Sequence, residues 1–264
     1  MKLFSLFALL IMSTSLSATE IVSHRGFSAQ APENTVSSFK LAWEHGTDAC
    51  ELDLYLTADG EIAILHDSDT KRTTKVAKLV KDSTMAELQT LDAGAWKSAQ
   101  YKGEKIPTLA QALETMPLGQ KRFFLEVKCG PEVVPVLAKQ LQSWKTRGSQ
   151  VCIIAFDRTV AQESKKAMPW IKVYRLSSEK TKDKKPVDLT QLIADTKADG
   201  LDGLDLGTKF DWSKELVDQV HAAGLELYVW TVNKASDAQH LASLGVDGIT
   251  TDDPVMLRAA LEKK

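Results

Sequence analysis

Cysteine is scarce and odd in number. Cys50, Cys129 and Cys152 leave at least one thiol unpaired in any compartment, and no spacing among them resembles a zinc site. All three stand in or beside stretches that read as strands, where cysteine behaves as a small apolar residue, so no structural disulfide is expected. Charge of one sign is scarce too. The 33 basic and 35 acidic residues leave a formal net charge of −2, which excludes a nucleic-acid partner held by bulk electrostatics. The lysine-rich piece from Lys180 to Lys185 reads as a solvated loop. No repeat, coiled coil or low-complexity tract appears, so nothing points to a scaffold role. Long apolar runs are missing but for one, Leu3 to Met12, which follows Met1-Lys2 and precedes the small polar residues Ser13 to Ala18. At about ten residues it is too short to span a membrane and has the pattern of a signal peptide. Residues 1–18 are therefore expected to direct export, to a periplasm if the source has two membranes. Residues 19–264 are expected to be one domain with no stable membrane insertion. A buried N-terminal helix or an uncleaved anchor is the alternative.

What is present is an alternation. Glu20 to Ser23 reads as a short strand, and Val36, Phe39, Leu41, Ala42 and Trp43 have helical spacing ending near Gly46. Ala49 to Leu56 is a strand, and the Asp59-Gly60 turn leads back through Ile62 to Leu65 in a hairpin-like return. Residues 67–105 break the rhythm and read as an insertion, with a short capped helix starting after Thr84. From Thr108 onward strand and helix alternate. The expected helices include Leu109 to Met116, Pro131 to Arg147 and Pro254 to Leu261. About eight such units imply a parallel sheet closed into an α/β, (β/α)₈ TIM barrel. A doubly wound open sheet is the runner-up.

In such a barrel the chemistry collects at the C-terminal ends of the strands. His24 and Arg25 follow the first strand, and His66 ends the return strand. Glu126 and Lys128 lie late in the third, and Trp230 closes the seventh. The period of two sends Glu51 and Asp53 to one face of an otherwise apolar strand. Two such carboxylates repel and are costly to bury, and a divalent cation is the simplest remedy. With Glu126 they make three hard oxygen donors, suited to Ca²⁺ or Mg²⁺ rather than to a soft metal. Arg25 and Lys128 are fixed cations able to clamp a phosphate-like anion. Structural pairing with the acidic residues is the competing reading, above all for Lys128. His24 and His66 exchange protons near neutral pH and suit an acid/base pair. His45, His221 and His240 lie in or at the ends of helices, away from the strand ends. Trp230 is either core or an aromatic wall. Asp252-Asp253-Pro254 reads as a helix start, with Asp253 as the cap.

Taken in order, these pieces resemble the glycerophosphodiester phosphodiesterases. They are Ser23-His24-Arg25-Gly26, Pro32-Glu33-Asn34-Thr35, Glu51-Leu52-Asp53, His66-Asp67, Arg72-Thr73-Thr74 and Ile106-Pro107-Thr108-Leu109. Glu126-Val127-Lys128, Val229 to Asn233 and Gly245 to Pro254 complete the set. The resemblance runs from about residue 20 to 258 and is loose over 157–225. It implies a barrel with an insertion after the second strand region and a divalent metal on Glu51, Asp53 and Glu126. It also implies catalysis by His24 and His66, with phosphate contacts from Arg25 and Lys128. Glu33 is left between holding Arg25 and approaching the metal. The implied reaction releases glycerol 3-phosphate and a free alcohol from a small glycerophosphodiester, with no assignment of oligomeric state. Two other readings compete. A related barrel acts on larger lipids, which activity on micellar lysolipid would reveal. An exported binding protein captures the diester without cleaving it, but has no use for two proton-transfer groups.

Overall fold

The computed structural model describes residues 18–262. Its strands are β1 (Glu20–Ser23), β2 (Ala49–Leu56), β3 (Ile62–Ile64), β4 (Arg122–Val127), β5 (Val151–Ala155), β6 (Lys172–Ser177), β7 (Gly203–Gly207), β8 (Glu226–Trp230) and β9 (Gly248–Thr251). They follow the order β1-β9-β8-β7-β6-β5-β4-β2-β3, and a further β1–β2 pairing closes the ring. Eight strands are parallel, and helices surround them. Only β3 runs antiparallel, hung on β2 through Leu54↔Ile64 and Leu56↔Ile62. This is the closed α/β barrel that the alternation predicts. Most of the parallel strands are buried on both faces, as in β5 (Val-Cys-Ile-Ile-Ala). The signal-peptide reading falls almost wholly outside the described residues.

Inside the ring, Val22, Ala49, Phe124, Cys152, Ile154, Tyr174, Leu176 and Tyr228 form one apolar plug. Two glycines make room for it. A Cβ on Gly203 would meet the Tyr174 ring and the Glu226 backbone, and one on Gly248 would meet the Tyr228 ring. Below the plug, at the N-terminal end, Arg122 pairs with Glu20 through Nε at 2.7 Å, and Tyr228 donates to Glu20 at 2.8 Å. Tyr174 donates to Glu226 at 2.6 Å, and Lys172 pairs with the same carboxylate. The plug turns the barrel into a cup, open only at the C-terminal ends of the strands.

Two local features hold the site's loops. The helix Val36–Glu44 starts at Thr35, whose hydroxyl accepts from the Ser38 amide while the Ser38 hydroxyl accepts in return from Thr35 N. Gly26, at φ 78°, lies so close to Ser38 that any Cβ there would collide with it. Residues 67–105 carry only short helical turns. They share a small core with the β3 region, in which Val80, Met85 and Leu88 are buried with Ala63, Leu65 and Ile106.

The expected helix from Pro131 to Arg147 breaks. Pro131–Val133 is a 3₁₀ turn, Val134–Gln140 is α-helix, and Gln142–Gln150 is 3₁₀ with a kink at Arg147. After Leu141 the chain reads Gln-Ser-Trp-Lys-Thr-Arg, with a single large apolar residue, so no stripe remains to hold an α-helix on the barrel. The three thiols are free. Among the described residues, no helix is long and apolar enough to cross a membrane.

Candidate active site

The cup's mouth is a cavity of about 210 Å³, and His24, Arg25, Glu51, His66, Glu126, Lys128 and Trp230 all line it. Asp53 stands behind this lining, fully buried. Carboxylate oxygens of Glu51, Asp53 and Glu126 lie within 4.8 Å of one another. The barrel register explains this: Asp53 stands opposite Glu126 on the neighbouring strand, and Glu51 is one inward position below Asp53 on the same strand.

Two loops feed cations and donors into this cluster. Arg25 adopts a left-handed backbone, φ 54°, which turns its amide onto Glu51 Oε2 at 2.8 Å. Its guanidinium bonds Glu33 at 2.8 Å and lies 3.1 Å from Asp53. Asn34, also left-handed at φ 58°, clasps Asp53 from both sides: its side-chain amide donates to Oδ2 at 2.7 Å, and its carbonyl accepts from the Asp53 N–H at 3.1 Å. Lys128 donates to Glu126 at 2.7 Å and stands 3.5 Å from Asp53.

Even so, the negative charge is incompletely answered. Glu51 Oε1 and Asp53 Oδ1 are buried and accept no hydrogen bond. Burial, then the charges of Asp53 and Glu126, push the Glu51 carboxyl well above the usual carboxylate range. Burial and Asp53 likewise push Glu126 up to about 7, against the pull of Lys128. Burial opposes ionisation of Asp53 too, but Arg25 and then Lys128 hold it low. Orphaned hard oxygens converging on one point are the donor set of a divalent cation site, and these three residues fit one.

The histidines flank the cluster, and each is anchored through Nδ1. His24 Nδ1 lies 2.6 Å from Asp252 Oδ1, and His66 Nδ1 lies 2.7 Å from Asp67 Oδ1. Asp252 is held down at about 2: burial opposes this, but bonds from His24, Asn233 and Ser28 prevail. An ionised carboxylate only accepts, so Nδ1 carries the proton and Nε2 is the nitrogen free for a substrate. Burial lowers the pKa of His66, and Asp53 opposes that shift. The β2–β3 pairing, extended by the Leu65 amide bonding Asp53 O at 3.1 Å, brings His66 beside the acidic cluster two residues past the end of β3.

Several residues here were given no settled site role from the sequence. Asp253 is the helix cap, accepting from Met256 N at 2.9 Å, but Asp252 turns the other way and orients His24. An aspartate directly after the last strand of a barrel was the available signal. Arg72 bonds both Glu33, at 2.7 and 2.8 Å, and Asp67, at 2.6 Å, tying the insertion to the loop after β1. Glu33 is thus the hub for two arginines. Phe156 packs edge-on against Trp230, ring centroids 5.5 Å apart, and completes an aromatic wall. Asp205, on β7, is buried in the cavity wall.

Against this geometry stand the comparisons with known proteins. Residues 24–256 match the model of the glycerophosphoryl diester phosphodiesterase family. A glycerophosphodiester phosphodiesterase of Caldanaerobacter subterraneus subsp. tengcongensis is 34% identical over 245 residues, covering 90% of this chain and 96% of that one. A glycerophosphodiester phosphodiesterase of Bacillus subtilis is 29% identical over 253 residues, 88% of this chain and 83% of that one. The solved structure of an Oleispira antarctica phosphodiesterase, in complex with the product sn-glycerol-3-phosphate, superposes with a TM-score of 0.82 at 28% identity, covering 93% of this chain and 98% of that one. With the acidic cluster, the paired histidines and the barrel in place, the chain belongs to the glycerophosphoryl diester phosphodiesterase family and is a phosphodiester hydrolase.

Proposed function

We propose that the protein hydrolyses small, water-soluble glycerophosphodiesters to glycerol 3-phosphate and a free alcohol such as choline or ethanolamine. The observation that carries this reading is the convergence of Glu51, Asp53 and Glu126 between two carboxylate-anchored histidines in one enclosed mouth. Glu51, Asp53 and Glu126 would hold a divalent cation, Ca²⁺ or Mg²⁺, and Glu51 Oε1 and Asp53 Oδ1, which accept no hydrogen bond, are free to face it. Such an ion supplies charge neutralisation at the phosphoryl oxygens. Arg25 and Lys128 add fixed positive charge, and the closed plug below excludes bulk water, so that charge acts at low dielectric.

His24 and His66 move the protons. One Nε2 accepts a proton from the attacking hydroxyl and the other protonates the departing alcohol. Water as attacker gives glycerol 3-phosphate directly, whereas attack by the glycerol 2-hydroxyl gives a cyclic phosphate that water opens in a second step. Asp252 and Asp67 fix the tautomer each ring needs. Trp230 and Phe156 give the organic part of the substrate an apolar wall. The N-terminal pattern of residues 1–18 supports an exported enzyme that meets its substrate outside the cytoplasm.

The test is release of glycerol 3-phosphate from glycerophosphocholine by purified protein, with EDTA and then with Ca²⁺ or Mg²⁺ restored. Turnover that disappears with chelation and returns with one ion is the expected result. Binding without cleavage under every metal condition would sink it, and cleavage of micellar lysolipid alone would move the substrate class.

A further inference from the structure

One buried acid in the mouth belongs to none of the roles above. Asp205 sits at the middle of β7, between Leu176 of β6 and Tyr228 of β8 in the sheet register. Its side chain is 1% exposed and lines the cavity. No hydrogen bond reaches its Oδ1. It is not one of the three clustered carboxylates. Ile154, Phe156, Leu176 and Trp230 are the apolar members of the same lining, which also holds Glu126 and Thr250. The Trp230 indole donates to the Asp205 backbone carbonyl at 3.1 Å, closing over it. A carboxyl in such surroundings destabilises the fold unless something pairs with it. The protein offers Oδ1 no partner, so the partner comes with the ligand.

Which part of the ligand follows from the ring. Three strands lie between β2 and β7 in either direction round the ring of eight, so Asp205 faces Glu51 and Asp53 from diametrically across the mouth. The phosphodiester belongs on the near side, with Arg25, Lys128 and the acidic cluster. Of the two glycerol hydroxyls, the 2-hydroxyl is the nearer to phosphorus, and the terminal one reaches farthest across. Burial, with the charge of Glu126 nearby, pushes the Asp205 carboxyl well above the usual range. A carboxyl that burial disfavours ionising can donate as well as accept, as a hydroxyl does. A cationic headgroup would call for the ionised form, which this wall disfavours.

We infer that Asp205 determines specificity by hydrogen-bonding the terminal glycerol hydroxyl, so that the mouth selects diesters whose glycerol is free at that carbon. The assignment rests on the proposed reaction. An acyl chain on that oxygen removes the donor and must thread a wall closed by Trp230 and Phe156. Lysolipids acylated at that carbon are therefore rejected at this position, whatever their headgroup.

The experiment compares glycerophosphocholine with its analogue carrying CH₃ in place of the terminal CH₂OH. Wild-type enzyme, with the activating metal, is expected to favour the glycerol compound in kcat/KM by about tenfold or more. Asp205→Ala loses that factor on glycerophosphocholine and keeps wild-type kcat/KM on the analogue, so the preference collapses. Asp205→Asn, which keeps a donor and an acceptor, restores much of it. Both variants melt at or above the wild-type temperature, because an unpartnered buried acid is gone. Equal loss on both substrates, or a lowered melting temperature, gives Asp205 a structural role and overturns the assignment. Wild-type turnover without preference overturns it with no variant needed. Absence of turnover on either substrate is a separate result, which removes the proposed reaction and this assignment with it.

Discussion

The two ends of the barrel handle buried charge in opposite ways. At the closed end, Glu20, Arg122, Lys172, Glu226 and the hydroxyls of Tyr174 and Tyr228 interlock until the acids and cations are matched. Glu226 is accordingly held below the ordinary carboxylate range: burial opposes this, but bonds from Lys172 and Tyr174 prevail. At the open end the acids outnumber their partners. Glu51 Oε1, Asp53 Oδ1 and Asp205 Oδ1 accept no hydrogen bond, and Glu51, Glu126 and Asp205 are all displaced upward. Within one fold, a satisfied network marks structure and an unsatisfied one marks a place reserved for a ligand.

Variants at the two ends should therefore fail differently. The largest effect is expected at the mouth. His24→Ala and His66→Ala should each lower kcat for glycerol 3-phosphate release by roughly a hundred- to ten-thousandfold. The melting temperature should hardly change, and near-wild-type turnover in either variant would remove that histidine from the chemistry. Glu51→Gln should cost about a thousandfold through weakened metal binding. Calorimetric titration with Ca²⁺ or Mg²⁺ reads that loss independently of activity.

Next comes the closed end. Arg122→Ala strands Glu20 and should lower unfolding stability by about 3–5 kcal/mol in denaturant titration, while the folded fraction keeps its kcat. Loss of kcat in folded Arg122→Ala would mean that the two ends are coupled. Smaller, and opposite in sign, is the stability effect of Glu51→Gln. In EDTA it should raise stability by about 1–3 kcal/mol, because a repelled buried carboxyl is neutralised. Added metal should narrow or reverse that gap by stabilising the wild type alone.

Smallest is the acid limb set by Asp252. Its folded pKa of about 2 lies below the ordinary 3.8. Its carboxylate thus favours the folded state above about pH 4, and that contribution is lost as pH falls towards 2. Asp252→Asn should flatten part of the stability slope in that window, and an unchanged slope would show that its bond to His24 does not stabilise the fold. In the same framework the lowered pKa of His66 keeps its ring neutral to below pH 6.5. If it is the base, the acid limb of kcat/KM should lie below that value.

Much of this was legible because it is local. The i, i+2 spacing of Glu51 and Asp53 on an apolar strand requires that they share a face, and a parallel barrel requires that strand ends meet. The residues not assigned are those whose partners lie far off in sequence or whose context is misleading. Asp252 meets His24 across 228 positions, and it sits beside an aspartate with an ordinary capping role. Arg72 acquires its place only once the insertion folds back over Glu33. Asp205 lies in Gly203–Gly207, where Gly-Leu-Asp-Leu-Gly carries no mark separating a site acid from a loop acid. The helix beyond Leu141 failed for a different reason, since helical propensity persists there while the apolar stripe does not.

The bond between His24 and Asp252 has a consequence for the order in which the enzyme matures. It joins the residue that follows the first strand to one that follows the last, across the seam where β1 meets β9. A chain emerging from the ribosome holds the clustered acids Glu51, Asp53 and Glu126 and both histidines by residue 128, yet His24 has no orienting partner until about half the chain more has been made. On the proposed role of His24, competence for turnover waits until the ring is sealed, and a product truncated before the final strand is expected to be inert.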